Sequence, residues 1–88
     1  MKPIRLSNHA RRYCELRGFT AEEVERAIRG APWTPAKGRR LECNLDLPYD
    51  KFWNGRRYAI KRVRPIFIEE ADAIVVVTVL TYYLRRPQ

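Results

Sequence analysis

The sequence predicts an α+β fold of order β-α-α-β-β-β, with a helical hairpin packed on an antiparallel sheet. Three observations predict it. Two short stretches before residue 31 carry helical spacing and helix-start chemistry. From Leu41 the apolar period drops to two. The run 74–80 is apolar on both faces apart from Thr78, as in a central strand. The 88 residues make one domain, 1–88, with a thin core.

Residues 2–6 read as a short strand with Ile4 and Leu6 on one face, confined to an edge or a strand start by Pro3. Its expected neighbour is the last strand. Ser7 can cap a helix from Asn8, and Ala10, Tyr13, Cys14 and Arg17 then fall on one stripe before Gly18 stops it. Thr20-x-x-Glu23 is a capping box, with Phe19 and Val24 as its hydrophobic staple. Val24, Ala27 and Ile28 form the buried face of this second helix, which ends at Gly30 and Pro32.

Residues 31–38 read as a loop. Leu41, Cys43, Leu45 and Leu47 alternate with Glu42, Asn44 and Asp46, a half-buried strand. Residues 48–55 are expected to connect it to the next strand through an Asn54-Gly55 turn. Tyr49, Phe52 and Trp53 in that connection suit either the end of the core or a stacking surface. Residues 56–64 form a second strand, disturbed by Pro65 and continued over 66–68. Its parity is mixed: Tyr58, Ile60, Arg62 and Arg64 share one face, and Arg57, Ala59, Lys61 and Val63 the other. The choice between Arg62 and Lys61 as the open-face cation stays open. Residues 69–72 are a polar turn, 73–84 the strongest strand, and 85–88 a short basic tail.

The formal charge is +8, from 18 Lys and Arg against 10 Asp and Glu. Most of the cations are arginine, whose planar fork suits phosphate. Such a balance points to a nucleic acid or an acidic protein as partner. Cys14 and Cys43 are distant and form no C-x-x-C pair, so two reduced thiols in a cytoplasmic protein are expected, and no metal. No apolar signal segment opens the chain, and 74–80 is too short to span a bilayer, so no membrane partner is expected.

His9-Ala10, the basic helix after it, Arg17-Gly18-Phe19-Thr20, Glu22-x-Val24-x-x-Ala27-Ile28 and Val76-Val77-Thr78-Val79 occur in that order. This pattern resembles a small bacterial domain family of unknown function. That family in turn is similar to the RelE/ParE/BrnT toxin superfamily, which shares the β-α-α-β-β-β order. The resemblance covers both helices and the last strand. It implies a RelE-like fold and, for many members, a metal-independent endoribonuclease, often associated with the ribosome. Other members inhibit gyrase, and the fold alone does not choose among them.

The resemblance implies RNA or the ribosome as partner, a small acidic antitoxin as neutralising protein, and no cofactor. Metal-independent cleavage needs a base for the 2′-hydroxyl, cations for the developing charge and an acid for the leaving oxygen. His9 is the only histidine and the obvious neutral-pH base, with Arg12 one turn away as a phosphate contact. Superfamily ribonucleases tend to use arginine, lysine and tyrosine on the open sheet face. The matching catalytic candidates are then Arg62 and Tyr82 beside His9, with Arg64, Tyr83 and Arg85 as nucleic-acid contacts. The structural alternative is that His9 bonds a neighbouring group and the others are solvent-facing strand residues.

Other chemistries lack their residues. Ser7 is the only serine and fits a cap, against a serine triad. There is no P-loop and no G-x-G-x-x-G. Two other functions use the same surface: a non-catalytic module binding nucleic acid or protein, and an interaction domain whose open face and Tyr49, Phe52 and Trp53 patch form a homodimer.

Overall fold

Ser7 separates the first strand from the first helix, and its side chain serves both. In the computed structural model, which describes residues 2–85, β1 is Ile4–Leu6 and α1 is Asn8–Arg12. The Ser7 hydroxyl accepts the Ala10 N–H and donates to the Val77 carbonyl 2.9 Å away. β1 lies parallel to the last strand, β6 (Ile74–Leu84), with Ile4 opposite Ile74 and Leu6 opposite Val76. That is the neighbour expected for it.

The first predicted helix is in fact two. Tyr13, with ψ 2°, closes α1, and α2 (Cys14–Arg17) follows at once. The break lets Arg17 reach β6, where its Nη1 donates to the Val79 carbonyl at 2.8 Å and to the Thr78 hydroxyl at 3.2 Å. Gly18 ends α2 in the left-handed region, φ 77°. α3 (Ala21–Gly30) opens on the predicted capping box: Thr20 Oγ1 accepts the Glu23 N–H at 3.1 Å, and the Glu23 carboxylate accepts the Thr20 N–H at 2.9 Å. Phe19, Val24, Ala27 and Ile28 are all buried.

The remaining strands are β2 (Thr34–Pro35), β3 (Leu41–Glu42), β4 (Leu45–Trp53) and β5 (Arg56–Glu69). They complete a six-stranded sheet of order β1-β6-β5-β3-β2, with β4 also paired to β5. The chain is thus a mixed α+β fold with a helical portion packed on that sheet. Among the described residues no helix is long and apolar enough to cross a membrane. Residues 86–88 of the basic tail lie outside the described residues.

Three expectations need correction. The loop 31–38 contains β2, which pairs with β3. The strand expected over 41–47 is broken at Cys43-Asn44, and most of the expected connection 48–55 is strand. Pro65 explains the break. Its carbonyl accepts the Cys43 N–H at 3.4 Å. In an antiparallel pair a residue's N–H and C=O face the same neighbour, so Pro65 has no N–H to return. β5 itself runs on through Pro65, and the irregularity falls on β6, where the register shifts between the partners of Ile66 and Phe67.

Aromatic packing explains why 48–53 is strand. Tyr49 and Trp53 reach across to the Tyr83 ring, with centroid distances of 5.3 and 4.7 Å. The register shifts between Pro48 and Lys51, where Asp50 takes φ 48°. The expected turn is present, with Asn54 at φ 50° and Gly55 at φ 83°, the left-handed pair a two-residue hairpin requires.

The helices and the link between α2 and α3 contribute Ala10, Phe19, Val24, Ala27 and Ile28 to the core, and the sheet contributes Val63, Phe67, Val76 and Val79. Lys61 shares this covered face and is only 8% exposed. Its Nζ donates to the Gly18 carbonyl at 2.9 Å and pairs with Glu23 at 2.8 Å. The mixed parity is thereby resolved: Lys61 lies under the helices, and Arg62 and Arg64 on the uncovered face.

Candidate nucleic-acid interface

Strand register builds the uncovered face. Arg62 stands opposite Tyr82 on β6 and Asp46 on β4, and Arg64 stands opposite Leu80. Arg62 forms a forked pair with Asp46, Nε to Oδ1 at 2.7 Å and Nη2 to Oδ2 at 3.0 Å. The hydrogen bonding and charge of Arg62 lower the Asp46 pKa, and Asp46 in return raises that of Arg62. Arg64 Nε donates to Asn44 Oδ1 at 2.7 Å, and Glu42 lies 3.5 Å away.

Tyr82 joins this group. Its hydroxyl is 3.4 Å from Arg64 Nη1, and the Arg64 guanidinium carbon lies 5.0 Å from the ring centroid. Tyr82 is 37% exposed. Half-buried Ile60, Ile66 and Leu80 fill the same face between the arginines. The result is a shallow surface of fixed guanidinium forks and one accessible aromatic ring.

Tyr83 is not on this surface. Alternation along β6 turns it beneath the helices, where its hydroxyl donates to the Arg17 carbonyl at 3.0 Å. Trp53 stacks on it at 15°. Burial first, and then Tyr49, push the Tyr83 pKa up to about 12. The expected nucleic-acid contact is thus a side chain that closes a helix end: Thr81 donates to the same Arg17 carbonyl at 2.6 Å, and Lys61 to the next one.

His9 also stands apart. Its ring lies 4.7 Å from Tyr13, and Arg17 covers Tyr13 at 4.3 Å. These three residues form one stripe along α1 and α2 that leads to Thr78 on β6. Their helix buries Ala10 in the core of the covered face. Arg62 and Tyr82 are neighbours across β5 and β6, whereas the ring partner of His9 is Tyr13, in the helical layer. Arg12 is exposed on α1, in the helical layer, and Arg85 is exposed just past β6.

Sequence reasoning missed the carboxylate and amide that hold the arginines. The signal was the polar parity Glu42, Asn44, Asp46, which names the right face but gives no register. Cys14 and Cys43 are free thiols, and burial pushes Cys43 up to about 11. Among the described residues no group of three His, Cys, Asp or Glu is placed to hold a metal. No protein-family model, no curated protein and no solved structure matches the chain.

Proposed function

We propose that the chain is a RelE-like domain that holds single-stranded RNA across its uncovered sheet face. The observation that supports this reading is the contiguous Arg62, Arg64 and Tyr82 group on adjacent strands. The arginines stand two residues apart, about 7 Å along the strand, and each presents a fork that fits phosphate. Tyr82 offers a ring on which a base can stack. The net charge of +8 draws a polyanion from a distance. Binding exchanges the Asp46 and Asn44 partners of the arginines for RNA phosphates.

Cleavage is the second reading, as in a toxin-like metal-independent endoribonuclease. The Tyr82 hydroxyl 3.4 Å from Arg64 favours it. A phenol can move a proton, and a guanidinium beside it can stabilise developing charge. Asp46 is a poor base there, because Arg62 favours its charged form. Under this reading an acidic antitoxin segment competes with RNA for the same two arginines.

The experiment is binding of labelled RNA by purified protein with EDTA present, followed by a gel of the same RNA. Binding that disappears in an Arg62→Glu, Arg64→Glu variant of unchanged fold is the expected result. Cuts that vanish in Tyr82→Phe make the domain a nuclease. Absence of binding at low salt overturns the RNA reading.

A further inference from the structure

We infer that the turn between β2 and β3 anchors the RNA, with Lys37, Arg39 and Arg40 holding its phosphates at one end of the uncovered sheet face. The inference rests on the RNA-binding reading and extends it. Residues 36–40 form a closed turn. The Ala36 N–H donates to the Arg40 carbonyl at 2.8 Å, the Arg40 N–H donates to the Lys37 carbonyl at 3.4 Å, and Gly38 takes φ 71°. Three cations within four residues thus leave one fixed tip. With Gly38 and Ile68 they line a hollow of about 430 Å³.

Register joins this hollow to the uncovered face. Burial alternates without a break along β5 from Lys61 to Ile68, with Lys61, Val63, Pro65 and Phe67 buried. The register shift beside Ile66 and Phe67 falls on β6 and leaves that alternation intact. Ile68 therefore shares the face of Arg62 and Arg64. On β3, Leu41 stands opposite Phe67 and packs against the core, whereas Glu42 stands opposite Ile66 and lies 3.5 Å from Arg64. Arg40, two residues before Glu42, falls on the same side as Glu42 and lines the hollow with Ile68. Ile68 is four residues from Arg64, about 13 Å along β5, so one strand of nucleic acid lying on β5 meets both groups.

Charge selects the occupant. Lys37, Arg39 and Arg40 are exposed, and their side chains form no ion pair or hydrogen bond among the described residues. No carboxylate lines the hollow, and Glu69, which follows Ile68, pairs with Lys2 at 3.2 Å. Arg62 and Arg64 must release Asp46 and Glu42 before they take a phosphate, whereas the turn releases nothing. The exposed large apolar side chains, Leu16, Trp33, Phe52 and Tyr82, all lie outside the turn. Cations with no apolar or aromatic anchor among them fit a phosphate backbone better than a lipid surface or a protein hot spot.

The test is fluorescence anisotropy of a labelled oligouridine with the full chain over a salt series. A Lys37→Ala, Arg39→Ala, Arg40→Ala variant is expected to reduce the salt slope by about 2, three phosphate contacts on a single strand. Its affinity should fall further than that of Arg62→Ala, Arg64→Ala, and its thermal midpoint should not move. An Arg39→Lys, Arg40→Lys variant, which keeps the charge, should keep the slope. If the wild type binds and the triple variant binds with the same slope, the anchor is overturned and the RNA reading stands. A larger loss in Arg62→Ala, Arg64→Ala than in the triple variant also overturns it. If the wild type does not bind oligouridine, both fall. Binding to polyglutamate that is lost in the triple variant while RNA binding persists makes the turn a site for acidic protein and overturns the inference.

Discussion

Lys61 and Glu23 meet in an ion pair of 2.8 Å that ties the middle of β5 to the first turn of α3. Both are largely buried, and the same Glu23 carboxylate closes the capping box on Thr20. Lys61 adds a bond to the Gly18 carbonyl, so one ammonium joins the sheet to both helices of the hairpin. Removing one member of a buried pair leaves its partner charged and unsatisfied. Lys61→Ala is expected to cost about 3–5 kcal/mol, measured by urea denaturation. Loss of less than 1 kcal/mol, roughly the worth of an exposed pair, would contradict this.

Gly18 is where α2 meets the aromatic cluster. An added Cβ would meet the Tyr83 hydroxyl and stand 2.8 Å from Trp53 Cη2, at a backbone φ of 77°. Backbone strain and overpacking act together here. Gly18→Ala should destabilise by roughly 2–5 kcal/mol, and its near-ultraviolet circular dichroism should lose the Trp53–Tyr83 signal. Gly30→Ala, with open space around the site, should cost far less.

Tyr83 sets an alkaline limit. Its pKa is raised from 10.0 to about 12, so the native state favours the neutral phenol. This contribution is complete below pH 10.0 and is lost as pH rises through about 12. Absorbance titration of the five tyrosines should show one late titrating group near that value. The late step should vanish in Tyr83→Phe.

Asp46 sets the corresponding acid behaviour of the uncovered sheet face. Its carboxyl is held below 3.8 by hydrogen bonds from Arg62. The contribution is complete above 3.8 and is lost as pH falls through the lowered value. A carboxyl-carbon NMR titration should place the Asp46 midpoint below 3.8, and Arg62→Ala should raise it. The pair is partly exposed, so its share of stability should be small.

The helices were the most legible part of the fold, because capping is local chemistry. Ser7, Thr20, Glu23 and Gly18 announce their roles within a few residues of sequence. The division at Tyr13 is not announced, since the Arg17 contact that accompanies it is with β6, 61 and 62 residues away. In the sheet, alternation gave the faces but not the register. Asp46 was visible as a polar-face residue, and only the pairing of β4 with β5 sets it on Arg62. Tyr82 and Tyr83 show the same limit: adjacent tyrosines read alike, and one lies on the open surface while the other seals a helix end. Pro65 was expected to disturb its own strand before 66–68 continued it, yet its effect falls on the strand beside it.

β4 is a nine-residue strand that pairs with β5 alone among the described residues, so its outer rim is a long template for a second chain. Pro48 withholds a donor from that ladder, and the left-handed Asp50 bends the rim two residues further on. A copy trying to zip alongside would lose register halfway. Many such molecules can therefore be crowded together without seeding a fibre through this rim.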